Sequence, residues 1–290
     1  MNQRLLYLLL LLPMGIFAKP KQASIDCNTI FVCIDSLSYA TLFDNPFIRD
    51  TLFICREQQT TTSNDAYTGK YAIGKAATLE FFKPVPASEK NGDKPGDAGI
   101  EFKTRKLNDL SAYTQQAIKK KLSVLTDTTK TDTAENKFIN WYRTLEIKDS
   151  VVSAAFSISL LEYDKDYLTF LGFTDTEIQS EMTYEQYNTL LSGGKKYPKS
   201  FNAIESVSVL LNKAELHYLK QNALLMGWRV KRGKITGNHF SINYKLKDNA
   251  PFHVSAIRLS LTQPFPSRAI SISSHLKLKI DGDTAVLEFE

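Results

Sequence analysis

The sequence has few of the residues that hold metals or act as nucleophiles in common enzymes. Its 290 residues include four histidines and three cysteines. The histidines, His217, His239, His253 and His275, show no spacing typical of a metal cluster. The patterns G-x-S-x-G, P-loop, C-x-x-C and H-E-x-x-H do not occur. These absences argue against hydrolase and nucleotide-binding functions.

The three cysteines are an odd number and cannot all pair within the chain. Cys27 and Cys33 fall in one predicted strand, where a rise of roughly 3.3 Å per residue places them about 20 Å apart, too far for a disulfide. Cys55 could pair with either of them in an oxidising compartment. The alternative is that all three are free thiols buried as small apolar side chains.

One apolar run stands out, and it lies at the start of the chain. Arg4 precedes the run Leu5–Leu12, and Pro13, Gly15 and the small residue Ala18 follow it. This order is typical of a secretory signal peptide, so we expect residues 1–18 to be removed and the mature protein to be periplasmic or extracellular. No second long apolar run follows, so no membrane span is predicted in the mature chain.

Charge is nearly balanced along the chain. The formal net charge of +5 is spread over the whole sequence. Such a small excess gives no basic patch for nucleic acid, so nucleic acid is not expected as a partner.

The elements after the leader repeat in a fixed order. Residues 28–34 predict a strand, and Asp35 is suited to cap a helix over 36–52 that Pro46 interrupts. Residues 53–61 predict a strand, and 67–82 a hairpin that turns at Gly74 and Lys75. A second unit has a strand at 99–102, a helix at 108–125, a Thr/Asp-rich loop at 126–135, and strands at 138–147 and 151–163.

The rest of the chain predicts a connector and a third unit. Thr174-x-x-Glu177 and Thr183-x-x-Gln186 match capping boxes, which indicates two short helices in 166–194. Residues 203–290 return to strand, helix and strands, with a final hairpin at Asp281 and Gly282. The predicted organisation is a signal peptide (1–18), paired modules (26–165), a helical connector (166–202) and an additional β-α-β-β-β module (203–290).

A short repeat supports duplication of these units. The segments 74–81 and 282–289 agree at five of eight positions, and each ends in Leu-Glu-Phe. The predicted fold is therefore α+β, with repeated β-α-β-β-β modules that form curved mixed sheets and carry helices on the outer face.

Strand alternation places a glutamate on the concave side of the first module. Leu79 and Phe81 should pack against the helix, so that Glu80 points to the opposite face with Thr78 and Phe82. Ser159–Tyr163 repeats the pattern of a glutamate within an apolar strand, here Glu162.

Paired modules with a glutamate in the last strand resemble the vicinal oxygen chelate superfamily of glyoxalases, bleomycin-resistance proteins and extradiol dioxygenases. The resemblance covers residues 28 to about 165 as a two-module unit, with 203–290 as an extra half. The motifs that carry it, and that suggest a divergent uncharacterised bacterial branch, are Asn28-Thr-Ile-Phe-Val32, Tyr67-Thr-Gly-Lys-Tyr71, Glu80-Phe-Phe82 and Glu162-Tyr163.

The resemblance implies where a metal or ligand would bind. Metal-dependent members hold a divalent ion with a His or Gln in the first strand of each module and a Glu in the last. Those positions fall here on Thr29, Gly99, Glu80 and Glu162. The two carboxylates suit a hard divalent ion such as Mg²⁺ or Ca²⁺ better than Zn²⁺ or Fe²⁺, and no cofactor is certain.

Three functions remain open from the sequence. The first is a protein that binds a small molecule in the concave sheet, against Glu80, Glu162, Thr29, Phe82 and Tyr163. The second is a lyase, isomerase or dioxygenase in which Glu80 and Glu162 hold a divalent metal. The third is a non-catalytic envelope protein whose concave face is filled.

Overall fold

The computed structural model of the protein describes residues 23–63, 66–85, 94–133, 137–148, 155–195, 197–248 and 252–290. The predicted signal peptide lies outside these ranges. Within them, fourteen strands form two mixed sheets accompanied by short helices. No helix in the described ranges is long and apolar enough to cross a membrane.

The elements follow the chain in two groups. The first sheet and its helices are β1 (Ile25–Cys33), α1 (Ser36–Thr41), β2 (Ile54–Thr61), β3 (Ala66–Ile73), β4 (Thr78–Phe82), β5 (Ala98–Thr104), α2 (Asp109–Lys119), β6 (Val124–Asp132), β7 (Phe138–Ile147) and β8 (Phe156–Tyr163). Next come α3 (Lys165–Phe170), α4 (Asp175–Gln179), α5 (Tyr184–Leu191), β9 (Phe201–Leu211), α6 (Lys213–Leu225), β10 (Arg229–Lys231), β11 (Lys234–Thr236), β12 (Ser241–Leu246), β13 (His253–Ser271) and β14 (Leu276–Phe289).

The first sheet is built from two β-α-β-β-β modules. Its strand order is β2-β3-β4-β1-β5-β8-β7-β6. In each module the last strand lies parallel to the first, β4 beside β1 and β8 beside β5. The two first strands, β1 and β5, meet antiparallel at the centre of the sheet. The fold class predicted from the repeated element order is confirmed.

Local sequence explains how the first module starts and turns. The Asp35 carboxylate accepts hydrogen bonds from the backbone N–H groups of Leu37 and Ser38, which caps α1. The predicted interruption at Pro46 is present, because α1 ends at Thr41 and a π-helical turn, Phe47–Leu52, starts directly after the proline. The Gly74 N–H donates to the carbonyl of Ala77, which closes the predicted β3–β4 hairpin.

The second sheet repeats the module once and then departs from it. Its order is β10-β11-β12-β9-β13-β14, and β12 runs parallel to β9 as β4 does to β1. β13 lies antiparallel to β9 and continues into β14 without a described helix between them.

The predicted reversal at Asp281 and Gly282 is present within β14. Gly282 has a φ of 59°, a left-handed conformation that suits glycine. The Glu290 N–H donates to the carbonyl of His275, and Lys279 pairs with Glu288. The two halves of this long strand therefore lie side by side.

Three details of the sequence prediction are wrong. Residues 126–135 were expected to form a loop, but β6 pairs with β7 along Val124–Asp132. The helix expected to reach residue 125 ends at Lys119, and Lys121 has a φ of 56°. The connector holds three short helices rather than two, although both predicted capping boxes are formed.

The two sheets share one hydrophobic core. Buried side chains from both sheets form a single cluster, in which the Phe102 ring of β5 packs edge-on against Trp228 and Phe240. The Tyr218 hydroxyl of α6 lies 2.9 Å from the N–H of Ile158 in β8 and accepts its hydrogen bond. The second sheet and α6 therefore cover the helical face of the first sheet and leave its opposite face accessible.

The connector helices form a smaller cluster of their own. Leu168, Phe173 and Ile178 are buried together with Tyr187, and Tyr163 of β8 packs against them.

The three cysteines, for which the sequence allowed either one disulfide or free thiols, are free thiols.

Candidate functional site

A hollow of about 260 Å³ lies on the concave face of the first sheet, between its two modules and the connector helix α5. We call it the concave hollow. Tyrosines line much of its wall: Tyr67, Tyr71, Tyr142, Tyr163, Tyr184 and Tyr187. Trp141 and the exposed Arg56 also border it, and Arg56 is the one basic side chain among the described lining residues. Its size suits a ligand smaller than a typical drug molecule.

Two carboxylates of the concave hollow come from strands on either side of β1. Glu80 of β4 lies beside Phe31 in β1 and Tyr71 in β3. Glu101 of β5 lies beside Thr29 in β1. Because side chains alternate along a strand, both carboxylates point to the concave face, and both line the hollow. We call Glu80 and Glu101 the acid pair.

The surroundings of the acid pair favour protonation. Burial raises the pKa of Glu80, and the nearby charge of Glu101 raises it further. Burial also raises the pKa of Glu101, with a contribution from Glu146 of β7. Within the described part of the chain, neither carboxylate has a hydrogen-bond or ion-pair partner. Desolvation without compensation is the physical cause of the shifts.

A third acceptor belongs to the same floor. Asn28 is 2% exposed, and its amide N–H donates to the Thr29 hydroxyl at 3.1 Å. Its amide oxygen, Oδ1, is buried and has no hydrogen-bond partner among the described residues. Buried polar atoms are normally satisfied, so an orphaned acceptor beside two unpaired carboxylates indicates a place where a donor belongs.

Part of the wall comes from the connector, which the sequence had indicated only as a link between units. Tyr184 and Tyr187 occupy positions i and i+3 of α5 and therefore share one helix face. The Tyr184 hydroxyl is 3.3 Å from the Thr78 hydroxyl, and the Tyr187 ring stacks on Tyr163 at 4.8 Å between centroids. Burial raises the pKa of Tyr184 to about 12, so its hydroxyl is neutral at physiological pH.

Glu162 is not part of the concave hollow. Its neighbours Leu161 and Tyr163 line the hollow, so alternation turns Glu162 to the helical face. There its carboxylate forms an ion pair with Arg143 at 2.5 Å and accepts the Leu110 N–H of α2 at 2.9 Å. The structure therefore does not bring Glu162 together with Glu80, and the acid beside Glu80 is Glu101, which the sequence reasoning missed.

The other predicted site residues divide between the lining and the packing. Thr29 and Tyr163 line the hollow. The Phe82 ring instead packs edge-on against Phe31 and Tyr67 at one end of the concave face. Gly99 lies under Phe31, since a Cβ at Gly99 would be 2.1 Å from Phe31 Cζ.

The donors of the concave hollow do not fit the metal site that the resemblance implies. No histidine or cysteine is among its described lining residues. In the part of the chain that the structure describes, no three His, Cys, Asp or Glu side chains are grouped closely enough to hold a metal ion. Iron and zinc sites usually include nitrogen or sulfur donors, whereas this floor offers only oxygen.

Comparison with known proteins gives a family and a fold. Residues 27–289 match the sequence profile of DUF5829, described as a family of unknown function. No curated protein matches the sequence. The crystal structure of a hypothetical protein from Staphylococcus aureus matches with a TM-score of 0.53 and 11% identity, over 86% of this chain and 96% of that chain. At this identity the likeness shows a shared fold.

Weaker structural matches include two enzymes. The Mn(II)-bound glyoxalase from Novosphingobium aromaticivorans has a TM-score of 0.37 and 9% identity, over 80% of this chain and 64% of that one. Homoprotocatechuate 2,3-dioxygenase from Arthrobacter globiformis has a TM-score of 0.38 and 11% identity, over 77% and 61%. Both belong to enzyme classes that the sequence resemblance named, but similarity at this level says nothing about the chemistry of this chain.

Proposed function

The chain belongs to the DUF5829 family, whose function is unknown, and from its own residues we propose that it binds a small molecule in the concave hollow. The observation that carries the proposal is the acid pair, which is half-buried and has no hydrogen-bond or ion-pair partner within the described residues. Elsewhere the fold pairs its buried acids, as Glu162 does with Arg143. A ligand that supplies the missing partners would offset the cost of burying these carboxylates.

Two further features support binding over the alternatives. The concave hollow has a volume of about 260 Å³ and is not filled by side chains, which favours a ligand site over a purely structural face. Its wall is aromatic and its floor has a few convergent polar atoms, the usual composition of a small-molecule site. The lack of nitrogen and sulfur donors among the described lining residues counts against an iron or zinc enzyme.

We also propose that the protein acts outside the cytoplasm. The basic residue, the apolar run Leu5–Leu12 and the small residue Ala18 support export. The ligand would then be a compound of the periplasm or the surroundings of the cell.

A blocking substitution with a matched control tests the proposed site. Gln58 and Gln59 are neighbours on β2 and both are exposed, but only Gln58 lines the concave hollow. Gln58→Trp should obstruct the opening, whereas Gln59→Trp adds the same side chain to the other face. Thermal unfolding and ligand-observed NMR would be recorded for both variants with alkylammonium ions, carboxylates, polyols and nucleosides.

The proposal expects that at least one compound class binds the unmodified protein. Binding should be lost in Gln58→Trp and retained in Gln59→Trp. A ligand present at 100 times its Kd should stabilise the protein by about 2.7 kcal/mol. Binding that is equal in the two variants, or no binding by any class, would overturn the proposal.

A further inference from the structure

Three groups at the floor of the concave hollow lack a hydrogen-bond donor among the described residues. The acid pair contributes two carboxylates, and Asn28 contributes the orphaned amide oxygen. One N–H of the Asn28 amide already donates to the Thr29 hydroxyl. A ligand that satisfies these atoms has to present donors, and a positive charge suits carboxylates best.

The walls favour the same kind of ligand. Tyrosine rings carry negative charge on their faces and attract ammonium groups within about 6 Å of the centroid. This protein already uses the two tyrosines of the β8–α5 wall in that way, because the Lys103 ammonium lies 5.6 Å from the Tyr163 centroid and 5.9 Å from that of Tyr187. The remaining lining tyrosines, Tyr67, Tyr71, Tyr142 and Tyr184, surround the acid pair.

Few charged groups lie around the acid pair. On the β7 side Glu146 adds to the electrostatic repulsion at Glu101. The tyrosines on β3, β7 and α5 are neutral at physiological pH because burial raises the pKa of each. Arg56 of β2 is exposed at the rim, and the Lys103 ammonium is directed to the carbonyl of Thr104 at 3.0 Å.

From these contacts we infer that the ligand is a small organic cation with N–H donors, that is, a protonated primary amine held by Glu80, Glu101 and the amide oxygen of Asn28 within tyrosine walls. The inference rests on the proposed binding function and names its ligand class. A quaternary ammonium fits less well, because it cannot donate to three acceptors. A dicarboxylate or phosphate ester presents acceptors rather than donors to these oxygen atoms.

Binding of such a cation should release a proton. Without ligand, desolvation favours the protonated form of the acid pair, whereas an ammonium ion stabilises the ionised carboxylates. Affinity should therefore rise with pH above neutrality until the amine itself loses its proton, at a pH of about 10 for an alkylamine like that of lysine.

Calorimetric titration with matched probes tests the ligand class. The probes are n-butylammonium, n-butanol, which has a similar shape but no charge, tetramethylammonium, which has charge but no N–H, and the chlorides of Mg²⁺ and Ca²⁺. We expect n-butylammonium to bind at least tenfold more tightly than butanol and tetramethylammonium. Titration at one pH in two buffers with different ionisation enthalpies should show proton release. Equal affinity for butanol, or tighter binding of either metal ion, would overturn the inference.

Two variants tie the result to the acid pair. Glu80→Gln and Glu101→Gln keep the side-chain size and should each weaken n-butylammonium binding at least tenfold. Glu57→Gln, on the exposed β2 strand and outside the lining of the hollow, should leave binding unchanged. Unchanged affinity in both acid-pair variants would also overturn the inference. Circular dichroism of each variant would confirm that it is folded.

The two proposals fail in different ways. If a carboxylate, polyol or nucleoside binds in the hollow and Gln58→Trp blocks it while n-butylammonium does not bind, the binding function stands and the amine class is wrong. If Gln58→Trp blocks no compound of any class, both proposals are wrong.

Discussion

Glu80 and Glu101 flank the central strand β1, one opposite Phe31 and the other opposite Thr29. The first comes from the last strand of one module and the second from the first strand of the next. Their electrostatic coupling therefore depends on the contact between modules, and neither module alone could form the acid pair.

Glu80→Gln should stabilise the folded protein without ligand. The substitution removes a desolvated carboxylate that has no partner among the described residues. We expect the free energy of unfolding to rise by about 1 to 3 kcal/mol at pH 8. Urea unfolding of the variant and the unmodified protein would measure the difference, and a loss of stability would contradict our account of the site.

The same carboxylates should give stability a distinctive pH dependence. The folded state holds their protons more tightly than the unfolded chain, in which a glutamate has a pKa of about 4.3. Stability from these groups is therefore greatest in acid, falls as the pH rises above about 4.3, and levels off above the raised pKa values. Melting curves between pH 5 and pH 8 should show a steeper fall for the unmodified protein than for the double variant Glu80→Gln, Glu101→Gln. Parallel curves would mean that the acids are not desolvated.

Glu162→Gln should have the opposite effect on stability and no effect on ligand binding. Glu162 is 2% exposed, pairs with Arg143 and accepts the Leu110 N–H at the start of α2. Loss of its charge leaves the partly buried Arg143 without its ion pair, so we expect a cost of about 1 to 3 kcal/mol. Urea unfolding and butylammonium titration of this variant would distinguish a structural acid from a binding acid. Weakened binding without a stability cost would reverse that assignment.

Gly99→Ala should destabilise the sheet through Phe31. The new methyl group would lie 2.1 Å from Phe31 Cζ and 2.5 Å from the Ser157 hydroxyl, so the ring and strand must shift. The expected cost is about 1 to 3 kcal/mol. If the ring is the cause, Phe31→Leu should reduce the cost of Gly99→Ala in a double-mutant cycle. Additive effects of the two substitutions would exclude Phe31 as the cause.

If the protein is exported, the mature chain should have a defined N-terminal residue. Protein recovered from the periplasm or medium of an expressing bacterium should begin at Lys19, as measured by intact mass and N-terminal sequencing. A version without residues 2–18 should stay in the cytoplasm. Full-length protein with Met1 retained in the cytoplasm would rule out the predicted leader.

The sequence predicted the modular fold because its strands and caps depend on local chemistry. Alternation around Leu79–Phe81, the Asp35 cap and the turn at Gly74 each act within a few residues. β6 was missed because its residues are mostly polar and exposed, so its pairing with β7, not burial, makes it a strand. The division into separate units at residues 165 and 202 stays a prediction.

The site was predicted in part, and the reason lies in strand alternation. Thr29, Glu80 and Tyr163 line the concave hollow, and for Glu80 this follows from its position between the buried Leu79 and Phe81. Glu162 was predicted as a site residue because the resemblance places a glutamate in the last strand. Tyr163 is its neighbour in β8, and adjacent residues of a strand point to opposite faces, so the two could not both face the hollow. Ile100 and Phe102 are both buried in the core, so alternation alone could have indicated Glu101. The contribution of α5 depends on how distant segments fold together, which no local pattern encodes.

Because Tyr184 and Tyr187 belong to the segment that joins the two sheets, the link between the sheets also supplies part of the wall of the concave hollow. A shortened descendant that stopped after β8 would retain both carboxylates but open one side of their enclosure to bulk water. The segment that connects the two sheets therefore cannot be removed without also altering the proposed binding site.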